Sequence, residues 1–556
     1  MKKSALRPLF LLLLVRMLLT PTGHVAASDL DVRALLHDAS VAAATIPDRE
    51  VFEKVAALQE VAGAQAAVGD RDGARASVDI AFRTLAQRSR TDVYRANAVV
   101  DLAKASARGD AVELEQFLKR AAASSNFVLD RSQGYALRNL AEALARSGSP
   151  GAAIARARGI ADASWRQAAL GAIAEIEAEA GSRPWVERTV AAASGPTDRA
   201  LILARVARRW AETGDLPAAR WAVAEALRLA DEIRTTDWRN AALVEIAKAQ
   251  VVVGDLEGTH RVASRIVRSG DAWYLVEVLT VLGVARANAG DKAGALDSLQ
   301  RSREAALRLP VKAGFKPGSS RAEALAKTAA AYGRIGDADT GSMVARAIPK
   351  EAPGREYLAA EALLTIARIQ ATAGDTAGAR TRCEEALKLL SNPADVVRYR
   401  WTCGDRAGAW RVLRESPGAS AARWGLADAE ARAGNLIDAL KAAEAIPDER
   451  SRVLALAALA PLQARIGDVA GARETARKVT DESRRAYAFQ AVAWGRARSG
   501  DILGAVDEAA MQQNPLVRSR MLLGVVEAQR GWSTGALSLS DTRTERPWDQ
   551  LLLKPE

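Results

Sequence analysis

A Gly-Asp pair, or a close variant of it, punctuates this 556-residue chain from end to end. It stands at Gly69-Asp70, Gly109-Asp110, Gly148-Ser149, Gly181-Ser182, Gly214-Asp215, Gly254-Asp255 and Gly290-Asp291. It continues at Gly336-Asp337, Gly374-Asp375, Gly404-Asp405, Gly434-Asn435, Gly467-Asp468 and Gly500-Asp501, with Gly531 as a degenerate fourteenth. Successive spacings are 40, 39, 33, 33, 40, 36, 46, 38, 30, 30, 33, 33 and 31 residues, the mark of a repeat array. Before each glycine, apolar residues recur at three- and four-residue intervals, as in LILARVARRWAETGD and LLTIARIQATAGD, the pattern of an amphipathic helix. Glycine supplies the left-handed residue that ends such a helix. The Asp, Asn or Ser after it is a good N-cap for a second one.

Small residues follow at fixed places. Alanine lies five residues past the glycine at Ala74, Ala153, Ala219, Ala295, Ala379, Ala409, Ala439, Ala472, Ala505 and Ala536. Glycine often precedes it, as at Gly73, Gly294, Gly378, Gly408, Gly471 and Gly504. Such positions let two antiparallel helices approach closely, so the unit reads as a helix hairpin. Segments such as IPDRE (46–50) and IPDER (446–450) separate hairpins, proline ending one helix and aspartate capping the next. An aromatic often opens the first helix, as at Phe52, Tyr94, Tyr135, Trp165, Trp238, Trp273, Tyr357 and Tyr487, where packing between repeats is the expected role. The fold class is all-α, an α-solenoid of about 13–14 stacked antiparallel hairpins.

Composition narrows the chemistry. Three histidines and two cysteines occur, and no CxxC or HExxH motif, so neither a Cys/His zinc site nor any other metal or cofactor is expected. His24 falls in a segment expected to be removed, which leaves His37 and His260 as candidates to orient a catalytic triad. Lys2, Lys3 and Arg7, then the apolar run from Leu9 to Val15, then small residues at Val25-Ala26-Ala27, form the three-part secretory signal pattern. The apolar run falls well short of the roughly 20 residues that span a bilayer. Export to a periplasmic or extracellular location follows, with no transmembrane span in the mature chain.

The expected organisation is a signal peptide (1–27), an N-terminal capping helix (28–46), repeats over 47–309 and 321–540, and a C-terminal tail (541–556). Residues 310–320, rich in Pro, Gly and Ser, read as a loop inserted between repeats or as a hinge. Cys383 is expected within a second helix and Cys403 at the end of the next first helix, about a turn out of register. A bridge needs Cα atoms within about 7 Å, so two separate thiols are expected.

These residues resemble the tetratricopeptide repeat. Leu282-Gly283 matches the family's Leu-Gly pair, Tyr332 its aromatic position, and Ala81, Ala226 and Ala386 its later alanines. Elsewhere Gln65, Gln250, Gln370 and Gln463 stand where the aromatic would be. The resemblance covers residues 48–540. It implies a right-handed superhelix whose first helices line a concave face that binds peptides or proteins. On that face Arg334, Arg432, Arg465 and Arg498, each two residues before a turn glycine, are the candidate partner-binding residues. They offer a basic groove for an acidic partner, or simply complement helix C-termini. A non-enzymatic protein-interaction scaffold is therefore the leading function. The alternatives are a superhelical carbohydrate- or peptidoglycan-active enzyme, or its accessory subunit, and a helical-repeat nucleic-acid binder. Export and the scatter of arginine among acids argue against nucleic acid.

Overall fold

The computed structural model describes residues 31–86, 98–102, 116, 134–269, 271–311, 320–416 and 418–532. The signal segment 1–27, Gly109-Asp110, Tyr94, residues 312–319 and the tail 541–556 lie outside them. The described residues form helices and their connections, with no strand among them. The chain is an all-α solenoid, in which first helices such as Pro196–Glu212 pack on their own second helix and on the next first helix.

The turn chemistry explains the punctuation. The first helix Pro196–Glu212 ends in its C-cap Thr213, and Gly214 follows at φ +89°. The Asp215 N–H donates to the Trp210 carbonyl (2.8 Å) and the Gly214 N–H to Ala211 (3.2 Å), the two bonds of a Schellman motif. The Asp215 carboxylate then accepts from the Ala218 N–H (3.1 Å), capping Leu216–Glu232. One aspartate thus closes one helix with its backbone and opens the next with its side chain. Gly69, Gly254, Gly290, Gly374, Gly467 and Gly500 repeat the left-handed geometry. Asp255, Asp291, Asp375, Asp468 and Asp501 repeat the cap, each accepting from a glycine N–H three residues on. Asp70 does the same with Gly73.

The unaromatic glutamines belong to this turn. Gln250, Gln370 and Gln463 donate to the second carboxylate oxygen of Asp255, Asp375 and Asp468 at 3.2, 2.7 and 3.2 Å. Gln65 and Gln463 also accept from Ser77 and Thr475 of the second helix, both at 2.7 Å. In one repeat the polarity is exchanged: Asn435 replaces the aspartate and donates to Glu430 at 3.0 Å. Burial raises the cost of that carboxylate, yet hydrogen bonds from Arg406, Asn435 and Trp410 hold Glu430 below its ordinary pKa.

Between the 33- and 40-residue units the difference in spacing lies in the second helix. Arg183–Ala191 has 9 residues in a 33-residue unit, and Leu216–Glu232 has 17 in a 40-residue unit. The extra length is about two helical turns. The repeats on either side of residues 312–319 pack as neighbours, and the Arg321 N–H donates to the Pro310 carbonyl (2.9 Å).

The cysteines correct an expectation. Cys383 and Cys403 form a disulfide, their Cα atoms 6.0 Å apart. Counting residues placed them a turn out of register. The five residues between Thr376–Leu387 and Pro393–Thr402 advance further per residue than a helix does, about 3.3 Å against 1.5 Å when extended. That difference restores the register.

The described residues fall into two compact units, one joining residues up to 81 with those from 457 onward, the other holding residues 82–456. In the first unit the helix Val32–Ala44 packs against the last one, Pro515–Arg530. It buries Leu35, Leu36, Ala39 and Ala43. The sequence places a capping helix here, and the helix it packs on is the last of the described ones. The covered helix needs it. Pro515–Arg530 buries Leu516, Met521, Leu523, Val525 and Val526 on several sides, so it has no polar outer face of the kind an open solenoid end requires.

Candidate functional site: a groove along the first helices

In the second unit a groove of about 600 Å³ runs across four successive first helices. They are Thr236–Val252, Ala272–Asn288, Arg321–Arg334 and Arg355–Thr372. No second helix contributes to it. The repeat explains why: each hairpin turns its first helix to the same side, so residues at one offset from the turn glycine align along the stack. Val281, Val284, Ala326, Ala330 and Leu358 form an apolar floor. Small residues dominate that floor, which leaves room above it.

Charged lining residues are mostly committed to internal partners. Glu277, Glu323 and Glu361 each stand 13 residues before their turn glycine. Glu277 pairs with Lys327, whose ammonium lies 4.7 Å from the centre of the Trp273 ring. Glu323 forms a capping box with Ser320 at the start of its helix. Glu361 accepts from the Tyr399 hydroxyl at 2.7 Å and pairs with Arg398 at 3.4 Å. Burial, then the Glu361 carboxylate, push the Tyr399 phenol far above its usual range. Arg398 also lies 5.7 Å from the Tyr357 ring, at the edge of the groove.

The four candidate arginines separate on inspection. Arg334 lines the groove, exposed at the last turn of its helix, and has no ion-pair partner among the described residues. Arg432 is taken up by Asp428 of its own helix at 2.9 Å. Arg498 lies 5.9 Å from the Trp494 ring, again within its own helix. Arg465 ends the helix Glu449–Arg465 in an exposed position. Arg334 and Arg432 belong to one compact unit, Arg465 and Arg498 to the other.

The aromatic positions differ in exposure. Phe52, Tyr135, Trp165 and Trp238 are 47%, 44%, 37% and 60% exposed. Tyr135 and Trp165 do meet edge to face at 5.6 Å. Trp273 and Tyr357 line the groove. The sequence reading missed the groove itself, whose signal is the pair of small, half-buried residues Ala326 and Ala330 one turn apart on a first helix. Among the described residues no cluster of His, Cys, Asp or Glu is arranged to hold a metal, and no helix is long and apolar enough to cross a membrane.

Among solved structures, the chain is similar to Ton1535 from Thermococcus onnurineus NA1 (14% identity, TM-score 0.24, covering 64% of this chain and 98% of that one). It is similar to a circular tandem repeat protein with novel repeat topology (15% identity, TM-score 0.10, covering 90% and 95%). It is also similar to a structure of Naa15/Naa10 bound to HypK-THB (14% identity, TM-score 0.21, covering 87% and 85%). No protein family matches the chain, and no curated protein is similar to it.

Proposed function

We propose that this protein is an exported, non-catalytic interaction scaffold that holds a peptide segment of a partner protein in the groove of its first helices. The observation that carries the reading is the groove itself, about 600 Å³ of mainly apolar lining on first helices alone. A pocket of that size is in the range that buries a ligand of several residues' side chains. The lining holds three glutamates against Lys327 and Arg334. With the glutamates internally engaged, apolar contact selects the partner, and an acidic partner would find Arg334 as its contact. Export is supported by the N-terminal pattern and by the Cys383–Cys403 bridge, since disulfides persist in oxidising compartments.

The test is a peptide-display selection against the full chain, followed by titration of the selected peptide on Ala330→Trp. Filling the groove is expected to weaken binding at least about tenfold, a loss of roughly 1.4 kcal/mol, with the melting temperature little changed. Unaltered affinity in that variant would move the binding surface elsewhere.

A further inference from the structure

The groove ends at a junction built differently from its neighbours. Arg321–Arg334 packs closely on Arg355–Thr372, and Pro393–Thr402 packs closely on Ser420–Arg432. Among the described residues no such close packing joins Arg355–Thr372 to Pro393–Thr402. A cavity of about 330 Å³ lies there instead, with Gly354, Glu356 and Tyr357 on one side and Leu390, Asn392 and Asp395 on the other. Pro393–Thr402 is also short, at 10 residues, and the residues it buries are Val397 and Tyr399 alone.

What crosses the gap is a set of specific bonds. Cys383, in the second helix of the groove's last repeat, is tied to Cys403 at the C-cap of Pro393–Thr402. The Tyr399 hydroxyl donates to Glu361 at 2.7 Å, and Arg398 pairs with the same carboxylate at 3.4 Å. Arg398 also lies 5.7 Å from the centre of the Tyr357 ring. Glu361 and Tyr357 both line the groove. Tyr399 and Cys403 are four residues apart, so they share one side of the helix. The bridge therefore fixes the side that carries the hydroxyl. Hydrogen bonds weaken steeply with angle and distance, and little apolar burial opposes a small shift of this helix away from the groove.

We propose that the Cys383–Cys403 bridge is a redox control on the groove. Oxidised, it holds Tyr399 and Arg398 against Glu361 and Tyr357 and keeps the end wall in its binding form; reduced, it releases them. This rests on the groove being the partner site. Cys403 is half-buried and Cys383 buried, so a dithiol attacks at the Cys403 sulfur. Its thiolate forms a mixed disulfide with Cys403 as the bond to Cys383 breaks, and Cys383 leaves as a thiolate that takes up a proton. The second thiol then displaces Cys403, so two electrons and two protons pass from the dithiol to the bridge. Both cysteines act by positioning.

Carboxyl footprinting of the full chain tests the relay. Carbodiimide coupling to glycine ethyl ester, read by mass spectrometry, is expected to modify Glu361 about tenfold faster in dithiothreitol than in the oxidised protein. Glu277 is the internal control: it lines the same groove, is 16% exposed against 14% for Glu361, and pairs with Lys327. Its rate is expected to stay unchanged. The same reduction is expected to weaken binding of the display-selected peptide about tenfold. Tyr399→Phe combined with Arg398→Ala is expected to give that weakening with the bridge intact, and to make affinity insensitive to dithiothreitol. Unchanged labelling of Glu361 overturns the proposal. So does an equal rise at Glu277, which would mean general loosening of the unit. Faster labelling of Glu361 with undiminished peptide affinity also overturns it, and leaves the groove standing as the partner site. Unaltered affinity in Ala330→Trp is the separate signature of the groove reading failing, and it takes this proposal with it.

Discussion

The closing face of the first unit and the groove of the second are built from the same part, the outward side of first helices, and they have opposite fates. At the closing face, Val32–Ala44 and Val51–Ala67 pack on Pro515–Arg530, whose Met521, Leu522 and Val525 are buried, and Arg520 there pairs with Glu60 and donates to Tyr487. In the groove, Val281, Ala326, Ala330 and Leu358 line an open cavity among the described residues. Charge is handled differently as well. Arg520 takes its partner Glu60 from a distant part of the chain, whereas Glu277 and Glu361 find theirs on neighbouring repeats. The contrast teaches that a helical repeat has no intrinsic inside. Whether a first-helix face is core or surface depends on what else arrives to cover it.

Overpacking the closing face is the strongest way to break this comparison. A Cβ on Gly524 would lie 2.2 Å from the Gln490 carbonyl oxygen, a backbone atom with no freedom to move aside. Gly524→Val is expected to cost about 3 kcal/mol or more, the upper range for overpacking. Calorimetry should show the loss in the transition of the first unit while selected-peptide binding by the groove survives. Equal loss of both would join what the comparison separates.

The second unit is held by a covalent tie that the first lacks. Replacing Cys383 and Cys403 together by serine opens a loop with a sequence separation of 20, and chain entropy puts the cost at about 3 kcal/mol. Urea unfolding followed by tryptophan fluorescence reads it. A difference below about 1 kcal/mol between the bridged and serine forms would show that this loop is already ordered in the unfolded chain.

The smallest expected effect is graded with pH. Burial pushes the Glu527 carboxyl up to about 7, although the Gln490 hydrogen bond and the Arg520 charge pull the other way. A raised folded-state pKa means that the contribution is complete below the unfolded value near 4.5 and is lost as pH rises through 7. The first unit is therefore expected to gain on the order of 1 kcal/mol between pH 8 and pH 5. Glu527→Gln is expected to flatten that slope, and a slope of the opposite sign in the parent would remove Glu527 from the closing face's energetics.

Much of this was legible in the residues. The turn glycines and capping aspartates declare themselves because both act over a few bonds, through left-handed backbone and an N–H three residues away. First helices were legible for the same reason. The glutamines at 65, 250, 370 and 463 were visible as departures from the tetratricopeptide pattern. Their role was not, because it depends on a carboxylate oxygen left over after capping. The cysteine pairing was misjudged since a five-residue connection has no fixed rise.

Short-range chemistry is enough to build each hairpin, since every bond in the Gly-Asp turn lies within six residues of its partner. Which faces the hairpins bury is a different matter. Glu60 and Arg520 are separated by 460 positions, and neither has a neighbour in sequence that announces the other. Ala330 and Leu522 both sit on amphipathic first helices, and only the packed chain makes one the floor of an open groove and the other part of a core. Burial is a property of what lies opposite, and in this molecule what lies opposite comes from far along the chain.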